Sequence, residues 1–155
     1  MFGKKSGGSS STGGGFKFKG VTDGFSARDA FVRKLDEEKI KYDLHNEKPI
    51  IYIGYKGDNF ESLTFTFIFD DDGLSFALRV FSIEKFSEEQ LYDAYEFCNK
   101  MCYAYRWMRF YVDSDNEFTA ALDAVINGES IGEECYELLG RAVSIVDDVC
   151  GKLHE

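Results

Sequence analysis

Residues 63–80 read LTFTFIFDDDGLSFALRV, and this stretch decides the fold. Large apolar residues occupy every second position on both sides of the acidic segment, which is the pattern of two strands joined by a hairpin turn at Asp72-Gly73. The side chains between the apolar ones are mostly Thr64, Thr66, Ser75 and Arg79. Since successive side chains of a strand point to opposite faces, the stretch predicts an antiparallel sheet with one dry face and one wet face.

Three helices and three further strands are expected around this hairpin. One helix should begin at Ser26, a second follows a capping box made by Ser87 and Gln90, and a third should begin at Ser130. Short strands are expected at 50–55, 106–112 and 117–125. The order is then α-β-β-β-α-β-β-α. We therefore predict an α+β fold in which an antiparallel sheet carries its helices on one face.

The chain divides into a tail and one domain. A length of 155 residues indicates a single domain. Residues 3–15 are rich in Gly and Ser, so we expect a flexible tail over 1–20 and one domain over 21–155. No signal sequence and no run of about 18 apolar residues is visible. We therefore expect a cytoplasmic protein with reduced thiols and no membrane association.

The charge of the chain is distributed unevenly. The first twenty residues contain four lysines and no acid, so the others must carry −14 to give the net charge of −10. An acidic body repels phosphate backbones and anionic membranes. We therefore expect neither a nucleic-acid partner nor a membrane partner, whereas a basic protein would be attracted.

Residues with chemical potential are few and scattered. Cys98, Cys102, Cys135 and Cys150 fall on the apolar stripes of predicted helices, where cysteine packs as a small hydrophobe. Zinc binding is the alternative, but the tight C-x-x-C spacing is absent. His45 and His154 accompany no nucleophile motif, and the acidic stretches at 70–72 and 113–117 lack the spacing of a calcium loop. We expect no catalytic residue, no metal and no cofactor.

One group of residues suggests a binding site. Trp107, Arg109 and Tyr111 alternate along the strand at 106–112, and Arg79 is expected on the same face of the sheet. Aromatic residues and arginine are enriched at the hot spots of protein interfaces. We predict that these four residues form a partner-binding patch opposite the core. The alternatives are that the first helix or the tail covers them, or that Trp107 merely ends the core.

The order of elements and the stretch from Phe86 to Asn116 resemble a known family. The matching residues are Phe86-Ser87-Glu88-Glu89-Gln90, Glu96, Asn99, Met101, Tyr105-Arg106-Trp107, Phe110 and Asp113-Ser114-Asp115-Asn116. On them the chain resembles the YbjN-like group of bacterial proteins, described as sensory transduction regulators, with a fold similar to type III secretion chaperones. The resemblance implies a small acidic adaptor that pairs with itself and binds other proteins, and it implies no catalytic residues.

Two functions of different kinds fit these observations. The first is a non-enzymatic protein-binding module, chaperone-like or regulatory, which acts as a cytoplasmic homodimer and receives a client segment on the predicted patch. The alternative is an acidic immunity-type inhibitor of a basic protein, whose association would slow as ionic strength rises. An enzyme or a small-ligand protein would need a concave pocket with a perturbed ionisable group, for which the sequence gives no sign.

Overall fold

The computed structural model describes residues 20, 21 and 23–155. Its helices are α1 (Gly24–Glu37), α2 (Leu91–Ala104) and α3 (Ile131–Leu153). Its strands are β1 (Asp43–Leu44), β2 (Ile50–Tyr55), β3 (Leu63–Phe69), β4 (Ser75–Lys85), β5 (Arg109–Val112) and β6 (Glu117–Val125). The tail predicted over residues 1–20 lies outside this description except for Gly20, so its character stays a prediction.

The strands form one antiparallel sheet in the order β1-β2-β3-β4-β6-β5. In the central hairpin Phe67 lies opposite Leu78. β4 continues next to β6, and the register between them shifts between Val80 and Glu84. The α+β class and the antiparallel pairing are therefore confirmed. The two-residue strand β1 was not predicted, because two residues are too few to show a period.

All three helices pack on the same face of the sheet, which confirms their predicted placement. Phe31 of α1 lies 4.7 Å from Phe67 of β3, measured between ring centroids. Phe97 of α2 lies 5.8 Å from Phe118 of β6. α3 contributes the buried residues Cys135, Leu139, Ala142, Val146, Val149 and Cys150. The apolar face of the hairpin thus forms one side of a single hydrophobic core.

Capping boxes fix the start of α1 and the turn before α2. At α1 the Asp23 carboxylate accepts a hydrogen bond of 2.8 Å from the Ser26 N–H, and the Ser26 hydroxyl accepts one of 3.1 Å from the Asp23 N–H. Ser26 is therefore the last residue of the box rather than the first, and α1 begins at Gly24 rather than at Ser26. The Gln90 amide oxygen accepts a 2.9 Å bond from the Ser87 N–H, as predicted. This second box opens a short 3-10 turn that leads into α2.

Gly73 closes the turn between β3 and β4 in a conformation that favours glycine. Its φ is 71°, and a Cβ at this position would stand 2.5 Å from the carbonyl oxygen of Asp23. Gly73→Ala is expected to lower the free energy of unfolding by about 1–3 kcal/mol, because it adds both backbone strain and a clash. Denaturant unfolding followed by circular dichroism measures the change.

Gly54→Ala is the matched control for this substitution. A Cβ at Gly54 would meet no atom within 4 Å. The control is expected to stay within about 0.5 kcal/mol of the parent protein. An equal loss of stability in both variants would contradict the assigned role of Gly73.

Candidate functional site

The sheet face that points away from the helices, termed here the open face, carries three of the four predicted site residues. Strand register places Thr66 opposite Arg79, Arg79 opposite Ala121, and Ala121 opposite Arg109. Tyr111 lies opposite Thr119 in the row beside them. Arg79, Arg109 and Tyr111 therefore come together from β4 and β5, with β6 between them.

The two arginines share one carboxylate at the centre of the open face. Arg79 Nη1 lies 2.8 Å from Asp123 Oδ1, and Arg109 Nη2 lies 2.7 Å from Asp123 Oδ2. Partial burial alone would raise the pKa of the Asp123 carboxyl, but hydrogen bonds from both guanidinium groups outweigh burial and lower the pKa. Asp123 therefore stays ionised at neutral pH and holds both arginines in place.

The two arginines have different roles in this triad. Arg79 also donates to the carbonyl oxygens of Leu78 and Leu122, at 2.9 and 3.3 Å, and its side chain is largely buried. Arg109 is half exposed. Arg79 is thus part of the sheet's own structure, whereas Arg109 presents a restrained guanidinium to solvent.

Apolar side chains lie on both sides of the charged triad. Phe81 follows the buried Val80 on β4, and 51% of its surface is exposed. Val125 ends β6 and is 86% exposed. The open face therefore combines a charged centre with uncovered apolar positions. Alternation with the buried residues of β4 and β6 predicts an outward side chain at both positions, because Phe81 follows Val80 directly and Val125 lies three residues after Leu122.

Trp107 does not share the open face with the other three residues. β5 begins at Arg109, and Trp107 precedes it with a φ of 75°, which breaks the alternation on which the prediction depended. The Arg141 guanidinium of α3 stands 5.2 Å from the centroid of the indole ring. Since α3 packs on the helix side of the sheet, Trp107 lies on that side. Of the predicted group of four, only Arg79, Arg109 and Tyr111 therefore share the open face.

Trp107 instead lines a groove of about 630 Å³ between the end of α2 and the outer side of α3. Its other aromatic walls are Tyr55, Tyr105 and Tyr136. Burial raises the pKa values of Tyr55 and Tyr105, so both phenols stay protonated at neutral pH and neither acts as a base. The groove is not predictable from local sequence pattern, because its lining comes from separate segments of the chain.

A second exposed surface runs along α2. Tyr92, Tyr95 and Tyr103 are 72%, 55% and 94% exposed. Their spacing of three and eight residues places them on one side of the helix, and we term them the tyrosine ridge. Cys102, which the sequence pattern places on the apolar stripe of this helix, is exposed.

The cysteines do not form a reactive or metal-binding group. Cys98, Cys135 and Cys150 are buried, and burial raises the pKa of the Cys98 and Cys150 thiols to about 11 and that of Cys135 further. The exposed Cys102 accepts a hydrogen bond from the Phe110 N–H at 3.2 Å, and its sulfur lies 3.5 Å from the Phe110 oxygen. The Cys102 thiol thus hydrogen-bonds to main-chain groups of β5, which is an edge strand of the sheet.

Neither histidine belongs to a catalytic arrangement. His45 Nδ1 accepts hydrogen bonds from the main-chain N–H groups of Glu47 and Lys48, and His154 Nε2 lies 3.2 Å from the Glu84 carboxylate. Within residues 20, 21 and 23–155, no three His, Cys, Asp or Glu side chains are grouped to hold a metal ion. In the same part of the chain no helix is both long and apolar enough to cross a membrane.

Known proteins share this architecture. The model of a family described as "YbjN: Putative bacterial sensory transduction regulator" matches residues 28–155. A crystal structure described as "YbjN, a putative transcription regulator from E. coli" superimposes with a TM-score of 0.60 over 79% of this chain and 87% of that chain. The two sequences are 7% identical, so the likeness is one of fold alone. No curated protein matches the chain. Since the family model spans nearly the whole domain, the chain belongs to the YbjN family.

Proposed function

We propose that the protein is a non-enzymatic regulatory module that binds a segment of another protein on the open face of its sheet. The observation that carries the proposal is this face: it presents Phe81 on β4 and Arg109 and Tyr111 on β5, with β6 between the two strands, and the helices α1 to α3 all pack on the other side. Exposed aromatic side chains beside a fixed arginine have the composition of a protein-binding hot spot.

The Asp123 triad prepares Arg109 for binding. Only Nη2 of the Arg109 guanidinium is engaged by Asp123, so its other N–H groups are free to donate to carbonyl or carboxylate oxygens of a bound segment. Because the carboxylate already restrains the side chain, less conformational entropy is lost on binding. Phe81 and Tyr111 would supply the apolar contact beside it.

The family description supports a regulatory role, and the charge favours one exercised through protein contacts. A net charge of −10 disfavours direct contact with a nucleic-acid backbone. All four cysteines are free thiols, which supports a reducing compartment and hence the cytoplasm. A chaperone-like action would consist of keeping a client segment bound on the open face.

We also propose that the module is a homodimer joined through the tyrosine ridge. The ridge is an uncovered surface of three tyrosines, a residue type that is enriched in interfaces. Glu96 and Lys100 are exposed beside it, one helical turn apart. When two copies of α2 meet antiparallel about a two-fold axis, Glu96 of one copy faces Lys100 of the other. Such a dimer leaves the open face of each copy free.

The open-face assignment is tested by affinity capture from a native lysate of the source organism, followed by calorimetry with the purified captured protein. The Phe81→Ala/Arg109→Ala double variant is expected to bind at least about tenfold more weakly, because it removes both an apolar anchor and a charged donor. Phe25→Ala is the matched control, since Phe25 is also an exposed phenylalanine but lies on α1.

Two outcomes of the capture would contradict the proposal. A partner that binds the double variant and the parent protein equally well would remove the site from the open face. A partner lost with Trp107→Ala alone would assign binding to the groove beside α3 instead.

The dimer is tested by light scattering with Tyr92→Glu/Tyr103→Glu. Opposed carboxylates at the ridge are expected to convert the protein to a particle with the monomer mass of 17.6 kDa, because like charges would be brought together at the interface. Ser62→Glu/Ser114→Glu adds the same charge at exposed positions outside the ridge and is expected to leave a dimer. A dimer that survives in the ridge variant would refute this interface.

The net charge keeps one second function open, that of an acidic inhibitor of a basic protein. Stopped-flow association with the captured partner distinguishes the two. Binding through the partly apolar open face is expected to change its association rate by less than about tenfold between low and high salt, whereas electrostatic capture slows far more steeply. A steep salt dependence that the Phe81→Ala/Arg109→Ala variant also shows would favour the inhibitor.

A further inference from the structure

We propose that the Trp107 groove is a binding site for a small aromatic carboxylate, that is, a planar ring that carries one negative charge. The groove lies on the helix side of the sheet, so this site is separate from the open face and goes beyond the proposed function. Its volume of about 630 Å³ is in the range of small-molecule sites, and its lining combines aromatic side chains with a few polar groups, as such sites do.

A strained turn holds Trp107 at the groove. The Met108 N–H donates to the carbonyl oxygen of Arg106 at 2.9 Å, and the φ of Trp107 between them is 75°. This is a γ-turn with a positive central φ, a rare conformation that a bulky residue adopts only where its surroundings enforce it. Backbone strain of this kind is found preferentially at binding and active sites. The turn takes the indole out of β5 and leaves 52% of the Trp107 surface exposed at the groove.

A glycine in α3 leaves space in the groove for a ring. Tyr136, Gly140 and Ser144 follow one another at intervals of four residues, so they line the groove from one side of the helix. A Cβ at Gly140 would meet no atom within 4 Å, so the floor between its two neighbours is open. Glycine is unfavourable inside a helix, and neither a turn nor a positive φ requires it at this position. The space above Gly140 is therefore available to a ligand.

The charge of the groove favours an anion. Its charged lining residues are Arg106, Glu137 and Arg141. Glu137 Oε1 accepts from Nε and Nη2 of Arg141 at 3.0 and 2.8 Å, so these two charges compensate each other. In the described part of the chain, the Arg106 side chain forms no ion pair and no hydrogen bond, and its guanidinium carbon lies 5.5 Å from the centroid of the Trp107 indole. The groove therefore carries one uncompensated positive charge, although the whole chain has a net charge of −10.

A carboxylate on a planar ring fits these features together. The free N–H groups of Arg106 match the two oxygens of a carboxylate. One negative charge balances the one uncompensated guanidinium, whereas a phosphate monoester carries nearly two. A flat ring would lie over Gly140 and contact the rings of Tyr136 and Trp107. The Arg141 guanidinium, 5.2 Å from the centroid of the same indole, is a further surface on which a ring can stack. The class of ligand is therefore an aromatic monocarboxylate.

The indole N–H resonance of Trp107 tests the site directly, because Trp107 is the single tryptophan of the chain. The full-length protein is titrated with phenylacetate and followed by NMR of its amide and indole N–H groups. A saturable shift of the indole resonance is expected at concentrations below about 5 mM. Phenylacetamide has the ring without the charge, and cyclohexylacetate has the charge without a planar ring. Each is expected to bind at least about tenfold more weakly than phenylacetate.

Two variants locate the ligand in the groove. Gly140→Leu fills the open floor and is expected to abolish the saturable shift, while leucine in place of glycine favours the helix. Arg106→Gln is expected to weaken phenylacetate binding at least about tenfold and to leave phenylacetamide binding unchanged. Lys48→Gln is the matched charge control and is expected to bind like the parent protein. Lys48 is exposed and precedes β2, whereas Tyr55, which lines the groove, is at the other end of that strand.

Four results would overturn the proposal. They are no saturable shift with phenylacetate, an equal shift in Gly140→Leu and the parent protein, equal weakening by Arg106→Gln and Lys48→Gln, and tighter binding of phenyl phosphate than of phenylacetate. Dispersed N–H resonances in each variant verify that the fold is retained. Phe81 and Arg109 are intact in all these variants, so a failure here leaves the test of the open face unaffected.

Discussion

Burial of only one face of the antiparallel sheet is the constraint on which the rest of the structure depends. Phe65, Phe67 and Phe76 are sealed beneath helices, and the strand period of two then forces their neighbours to the other face. The three helices cover one face of the six-stranded sheet and leave the other face without a helix. The residues of the open face follow from this arrangement, because a side chain next to a core residue in a strand must point to the opposite face of the sheet.

The Arg79–Asp123–Arg109 triad is a response to the same constraint. On the face without helices, the Asp123 carboxylate of β6 forms ion pairs with Arg79 of β4 and Arg109 of β5 and so links three neighbouring strands. The largely buried Arg79 acts mainly within the fold, since it also binds the carbonyl oxygens of Leu78 and Leu122. Arg109 is half exposed, and its guanidinium is bonded to Asp123. Under the proposed function, Arg79 serves the stability of the sheet and Arg109 the recognition of a partner.

Much of the fold was predictable because its signals are local and periodic. The central hairpin, the Ser87–Gln90 capping box and the antiparallel class needed only spacing and turn chemistry. The errors have physical reasons. The N-cap of α1 is Asp23, which forms a capping box three residues before the predicted one. Trp107 has a positive φ, so it is not part of β5, and alternation of residue types does not reveal such a φ. The groove beside α3 was missed because its lining meets only after folding. Strand alternation thus placed Arg79, Arg109 and Tyr111 on one face of the sheet, and it gives Phe81, one residue after the buried Val80, the same side.

The separation of the surfaces decides which functions are compatible with one another. The tyrosine ridge lies on α2, the Trp107 groove lies against α3, and the open face is on the other side of the sheet from both. A dimer joined at the ridge therefore leaves two open faces free, one per copy. Asp123 both holds Arg109 and lines a shallow cavity that reaches the β3–β4 turn through Asp70 and Ser75. Under the proposed function, a segment bound at Arg109 would thus also lie within reach of this cavity.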